Sequence, residues 1–142
     1  MKTTGKRSEA IILPPNSTGM PGPRKILLVD DDVDHLSICK LVLTNRGYNV
    51  LVLWSTNVLI EVVKDFMPDL IFMDHRMPEI DGIQATGIIK TNPLTQHIPV
   101  IYFTGMEKGE ELAKKAGANG YLAKPFKIDQ MVKLIEERLQ GG

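Results

Sequence analysis

Five polar residues carry the chemistry of this sequence, and each stands just after a short apolar run. Asp30 and Asp31 follow KILLV (25–29), Asp74 follows LIFM (70–73), Thr104 follows PVIYF (99–103) and Lys124 follows YLA (121–123). If these runs are parallel strands of one sheet, all five residues lie past carboxyl ends and face the same side. In open parallel sheets, ligand sites form along that edge where the strand order reverses. Three carboxylates gathered there repel one another and lose hydration. A hard divalent cation offsets that cost, and all-oxygen ligation with room for waters suits Mg2+. Lys124 adds one positive charge. A pocket with a metal, a lysine and a hydroxyl is poorly suited to an acyl-transfer oxyanion. It suits a phosphoryl group, whose transfer calls for oxygens positioned and neutralised in line with an attacking oxygen. That attacking oxygen can itself be a carboxylate, which gives an aspartyl phosphate.

The elements that must position these residues are legible in the apolar pattern. After KILLV, residues 34–46 place Leu36, Cys39 and Leu43 at helical spacing, with Ile38 and Val42 beside them, and Gly47 ends the helix. A second run covers Val50–Trp54, followed by a short helix over Val58–Phe66. After LIFM, a helix over Ile80–Lys90 is expected to turn Ile83, Gly87, Ile88 and Ile89 inward. Lys108–Ala116 reads as a helix ended by Gly117, and Ile128–Leu139 as the last helix. Five strand–helix units result. Continuous apolar strands imply a sheet covered on both faces, and the alternation implies parallel strands with right-handed crossovers. Residues 1–23 hold four prolines and show no period, so they read as a disordered tail before a domain over 24–140.

Composition narrows the function classes. At 142 residues with 43% apolar and 24% charged residues, the chain fits one ordinary globular domain. The formal net charge is zero, which argues against non-specific nucleic-acid binding. The zero is unevenly made: residues 1–25 hold five basic and one acidic residue, and the remainder twelve basic and sixteen acidic, so +4 stands against −4. A single cysteine, Cys39, excludes an internal disulfide and points to a reducing, cytoplasmic setting. No run approaches the roughly 18 apolar residues of a membrane span.

Four motifs, KILLVDDD (25–32), PDLIFMDHRMPEIDG (68–82), PVIYFTG (99–105) and GYLAKPF (120–126), together resemble the receiver domains of response regulators. The resemblance covers about residues 24–140, and its form is that of a stand-alone, chemotaxis-regulator-like receiver. It implies a flavodoxin-like, doubly wound (βα)5 fold with strand order 2-1-3-4-5. It implies that Asp74 is the phosphoacceptor, taking its phosphoryl group from a histidine kinase or a histidine phosphotransfer protein. Asp31 and Asp74 would ligate Mg2+ directly, Asp30 through water, and the Arg76 backbone carbonyl would be a further ligand. Lys124 would contact the phosphoryl group, and Pro125 would follow a cis peptide bond that aims it. Thr104 and Tyr121 would be a switch pair that reorients on phosphorylation.

The sequence departs from the family pattern in three places. The stretch from Thr104 to Lys124 is about two residues short, which bears on where the fourth helix starts. Asn119-Gly120 stands where the DNA-binding branch has paired aspartates, and helix 2 lacks the usual Gly-x-x-Ala-Leu. Other polar residues have plainer readings. Asp32 and Asp34 suit the start of a helix. His35 and His97 read as surface residues, and His75 should turn away from the pocket because side chains alternate along a strand. Cys39 reads as a buried helix residue without redox function.

The expected function is therefore a signalling module rather than an enzyme, acting only on its own phosphorylation state. Its output would be an unidentified downstream protein, reached as a monomer or weak dimer, with no DNA or membrane binding. One alternative is a receiver cut from a larger DNA-binding regulator or hybrid sensor kinase, although only Gln140–Gly142 follow the last helix. A Mg2+-dependent phosphohydrolase is a further alternative, but Arg76 stands where such a site would need a general acid.

Overall fold

In the computed structural model, which describes residues 22–139, each apolar run is a strand and each helical pattern a helix. The order is β1 (Lys25–Val29), α1 (Val33–Asn45), β2 (Asn49–Leu53), α2 (Leu59–Phe66), β3 (Leu70–Met73), α3 (Gly82–Thr91), β4 (Val100–Thr104), α4 (Gly109–Ala116), β5 (Gly120–Ala123) and α5 (Ile128–Leu139). The strands form one parallel sheet in the order β2-β1-β3-β4-β5. The expected tail falls outside the described residues except for positions 22 and 23.

The sheet is buried on both faces because its strands send alternate side chains to opposite sides. Ile26, Leu28, Phe72, Ile101 and Phe103 pack with Leu36, Cys39 and Leu43 of α1 and Met131, Val132 and Ile135 of α5. Their neighbours Leu27, Val29, Ile71, Met73, Val100 and Tyr102 pack with Leu59, Val63, Ala85, Ile89 and Ala113 of α2, α3 and α4. Asp32 caps α1 by accepting from the His35 amide at 3.0 Å, and Asp34 lies in the first turn beside the positive end of the helix dipole. Asp81 and Gln84 form a capping box at the start of α3.

The inner face of α3 differs from the expected one. Gly82, Ala85, Thr86 and Ile89 are buried there, while Ile88 is 41% exposed. Ile88–Ile89 are adjacent, and consecutive helical residues point about 100° apart, so the sheet can cover one of them only. The start of α4 also differs. Lys108 is an N-cap in the left-handed region, φ 63°, with no side-chain capping bond, and the helix begins at Gly109.

Candidate functional site

Backbone bonds extend the sheet ladder one residue past several strands and so fix the site. The Asp30 amide donates to the Leu53 carbonyl at 3.1 Å, the Asp74 amide to the Val29 carbonyl at 3.0 Å, and the Lys124 amide to the Thr104 carbonyl at 3.0 Å. Val29 pairs with Met73 and Thr104 with Ala123. Asp30 and Asp74 therefore leave adjacent strands side by side, and Lys124 leaves β5 beside Thr104. The carboxylate oxygens of Asp30, Asp31 and Asp74 lie within 4.8 Å of one another. Asp30 and Asp74 are buried, 1% and 6% exposed, and Asp31 is open to solvent.

Lys124 closes this cluster. Its Nζ donates to Asp30 Oδ2 at 2.5 Å and lies 3.7 Å from Asp74 Oδ2. Its charge also sits 4.7 Å over the Phe103 ring, a favourable placement for a cation on an aromatic face. The Lys124–Pro125 peptide is cis, as the resemblance implied. Asp30 is further held by the Asp32 amide, which donates to its Oδ1 at 3.1 Å. Burial pushes the Asp74 carboxyl up to about 6. The Lys124 charge opposes that shift and the Asp30 charge adds to it. Three carboxylates against one lysine give the cluster excess negative charge, and the donor set is all oxygen. That combination fits a hard divalent cation.

A recess of about 250 Å³ opens beside Asp74, lined by Arg76, Thr104, Gly105, Met106 and Lys124. Thr104 is buried, and its hydroxyl accepts from the Met106 amide at 3.3 Å. The Tyr121 hydroxyl lies 3.5 Å from the Thr104 carbonyl, half-buried and seated against α4. A Cβ on Gly109 would collide with that hydroxyl, so the first residue of α4 is a glycine for steric reasons. Asp30, Asp31, Asp74, Thr104 and Lys124 thus meet at one sheet edge, with Arg76 and Tyr121 beside them.

The structure corrects one sequence reading and adds partners for two further side chains. His35 is not a plain surface residue: its Nδ1 lies 3.6 Å from Asp30 Oδ2, its Nε2 3.6 Å from Cys39 Sγ, and its ring meets Phe126 edge-on at 5.4 Å. The site wall therefore includes α1, because the first helical turn after Asp30–Asp32 folds back over the strand end. His75 turns away from the recess of Asp74, Thr104 and Lys124, as expected, and lines a neighbouring one of about 380 Å³ with Asp31, Arg76, Met77, Pro78, Asp81 and Met106. Its Nδ1 meets the buried Tyr102 hydroxyl at 2.6 Å. Glu79 was not singled out at all. It reaches from the β3–α3 loop to Ser55 and Thr56, and nothing in its local sequence signals a partner 23 residues earlier. Cys39 is buried as expected, and burial pushes its thiol up to about 11, which makes it a poor nucleophile. His97 is exposed.

Comparison with known proteins identifies what the site resembles. Residues 26–136 match the response regulator receiver domain family. The transcriptional regulatory protein ZraR of Salmonella typhimurium is 38% identical over 119 residues, covering 83% of this chain and 27% of that protein. The chain thus spans about a quarter of that relative's length. The polar-differentiation response regulator DivK of Brucella anthropi is 26% identical over 119 residues, covering 82% of this chain and 97% of DivK. The receiver domain of a sensor histidine kinase from Pseudomonas aeruginosa, solved with a magnesium ion coordinated in its active-site cleft, superposes with a TM-score of 0.75 at 29% identity, covering 82% of this chain and 97% of that one.

Proposed function

The chain belongs to the response regulator receiver domain family, and from that premise we propose that Asp74 is the residue that accepts the phosphoryl group. The observation that carries this reading is the meeting of three carboxylates within 4.8 Å with a lysine ammonium 3.7 Å from Asp74. Asp31 and Asp74 would hold Mg2+ directly, Asp30 through water, and the Arg76 backbone carbonyl would complete the protein's share. When bound, the ion neutralises the crowded carboxylates and the oxygens of the transferred group. The solved Pseudomonas aeruginosa receiver with magnesium in its cleft supports the choice of ion.

In the transfer, a carboxylate oxygen of Asp74 bonds to phosphorus while the phosphorus–nitrogen bond of a phosphohistidine breaks and the imidazole leaves. Lys124, held on Asp30 at 2.5 Å, exchanges part of that contact for the new phosphoryl oxygens. The Thr104 hydroxyl turns from the Met106 amide to donate to the phosphoryl group. Tyr121, resting near the Thr104 carbonyl, repacks as the β4–α4 segment moves, and the face formed by α4, β5 and α5 shifts its population. Lys114, Lys127 and Lys133 are exposed on or beside those helices, where a protein partner can reach them.

The donor is a histidine kinase or histidine phosphotransfer protein, and the output is a change of protein partner. The module turns over nothing but its own phosphoryl group. Residues 26–142 hold twelve basic and sixteen acidic residues, which disfavours DNA as a target. Asn119 supplies no carboxylate to a dimer contact: its side chain accepts from the Val100 amide at 2.9 Å. This supports a monomer or weak dimer. No helix among the described residues is long and apolar enough to cross a membrane. The proposed setting is cytoplasmic. Similarity to nearly all of DivK favours a receiver over residues 24–140 acting as a separate protein, preceded by a tail. Similarity to a quarter of ZraR favours the second reading, a receiver within a larger regulator.

The test is intact-mass analysis after incubation with a small phosphodonor and Mg2+. The parent gains one phosphoryl group and Asp74→Asn gains none. Equal gain by the variant refutes the assignment.

A further inference from the structure

The segment from His75 to Asp81 joins β3 to α3 and carries Arg76, whose carbonyl belongs to the proposed metal site. A loop that presents a backbone ligand must itself be held, because a carbonyl cannot be reoriented without moving its peptide. Two sets of bonds hold this one. On the α3 side, the Tyr102 hydroxyl meets His75 Nδ1 at 2.6 Å, and the Gly82 amide donates to the His75 carbonyl at 2.8 Å. On the opposite side, Glu79 crosses to the connection between β2 and α2. Its Oε1 accepts from both the Thr56 amide and the Thr56 hydroxyl, each at 2.9 Å, and its Oε2 accepts from the Ser55 hydroxyl at 3.0 Å.

This second set is built for position. Three donors from two consecutive residues fix both oxygens of one carboxylate. Glu79 itself is exposed while Thr56 is buried, so burial of the loop does not force the contact. The receiving end is a firm anchor. The Ser55 hydroxyl also accepts from the Asn57 amide at 3.3 Å, and the Thr56 carbonyl accepts from the Leu59 amide at 3.2 Å. Ser55 and Thr56 stand directly before the N-cap of α2, Val58, which has no side-chain capping bond of its own. The bond from the Thr56 amide holds the Glu79 carboxyl below its ordinary range.

We infer that Glu79 is a positioning residue of the phosphoryl site: its bonds to Ser55 and Thr56 fix the His75–Asp81 loop, and with it the Arg76 carbonyl, against the β2–α2 connection. This rests on reading Asp30, Asp31, Asp74 and Arg76 as the Mg2+ site. The action is through hydrogen-bond geometry and not through negative charge. Glutamine at this position keeps an oxygen that takes both Thr56 donors, so it separates the two.

The experiment is a Mg2+ titration followed by amide chemical shifts on the parent, Glu79→Ala, Glu79→Gln and Asp31→Ala. Removing groups that orient metal ligands weakens binding by about 10- to 100-fold. Glu79→Ala is therefore expected to bind about tenfold more weakly and Glu79→Gln within about threefold of the parent, while Asp31→Ala binds far more weakly than either. Phosphorylation by a small phosphodonor should show the same order in half-saturating Mg2+, with the Glu79→Ala rate recovering at saturating Mg2+. Parental affinity in Glu79→Ala, with binding lost in Asp31→Ala, overturns the positioning role and leaves the metal site standing. Glu79→Gln as weak as Glu79→Ala also overturns it, because charge would then be the cause. Parental affinity in Asp31→Ala sinks the metal-site reading itself and this inference with it. Should Glu79→Ala fail to fold, Thr56→Val removes one of the three bonds: a loss of about threefold is expected, and unchanged affinity counts as refutation.

Discussion

Replacing Asp74 by asparagine should make the metal-free protein more stable, although it abolishes the proposed function. Asp74 is 6% exposed, and burial lifts its carboxyl from 3.8 to about 6 despite the nearby Lys124. At about 1.4 kcal/mol per pH unit, that difference amounts to about 3 kcal/mol against the ionised folded state. The direction follows from the proton count. The folded state keeps the Asp74 proton over a pH range in which the unfolded chain has lost it. The group therefore favours folding below pH 3.8, and that advantage is lost as pH rises through about 6. Asparagine has nearly the same shape and no charge, so it removes the cost at neutral pH. It also places an amide beside Lys124, which returns part of the gain, and a net stabilisation of about 1–3 kcal/mol is expected. The assay is urea unfolding of parent and variant in EDTA at pH 7.5 and pH 4.5. At the lower pH the carboxyl-dependent gain should fall to about a third of its neutral value. Mg2+ should reverse the comparison in part, because only the parent gains from binding, by about 1.4 kcal/mol at ten times Kd. A variant no more stable than the parent in EDTA at pH 7.5 would refute the reasoning, as would a gain independent of pH.

Three further outcomes are expected. Lys124→Ala should bind Mg2+ at least as tightly as the parent, since it removes a cation from the acidic cluster, yet amide shifts around Thr104 and Tyr121 should no longer respond to a phosphoryl mimic; a full response contradicts its role. Met106→Glu should speed loss of the phosphoryl group, because Met106 lines the recess beside Asp74 and a carboxylate there can orient an attacking water; an unchanged decay rate measured by mass counts against this. Gly109→Ala should displace the Tyr121 ring from its seat against α4, since the added Cβ would collide with the phenol, and unchanged Tyr121 ring-proton shifts would show that the seat is not as tight as it looks.

Sequence alone determined a great deal about this protein. The change of period from strand to helix and back, five times, settled the element order and the sheet class. The interruption of each apolar run by a carboxylate, a hydroxyl or a lysine then placed the site, because parallel strands must present the same end to the same side. Asp30, Asp31, Asp74, Thr104 and Lys124 needed no coordinates to be grouped. What periodicity cannot carry is contact between segments that belong to no element. His75 and Glu79 sit in a loop whose path depends on the twist and register of β3 against its neighbours, so their bonds to Tyr102 and to Ser55–Thr56 appear only once the sheet is assembled. The approach of His35 to Asp30 depends on the angle at which α1 leaves the sheet edge. The inner face of α3 was misjudged for a related reason: four apolar or small residues within seven positions are compatible with several rotations of the helix, and only packing on β3 and β4 selects Ala85 and Ile89 over Ile88. Local pattern chose the residues that could do the chemistry, and the tertiary structure decided which loops hold them in place, since a loop's contacts are set by where its two ends are fixed.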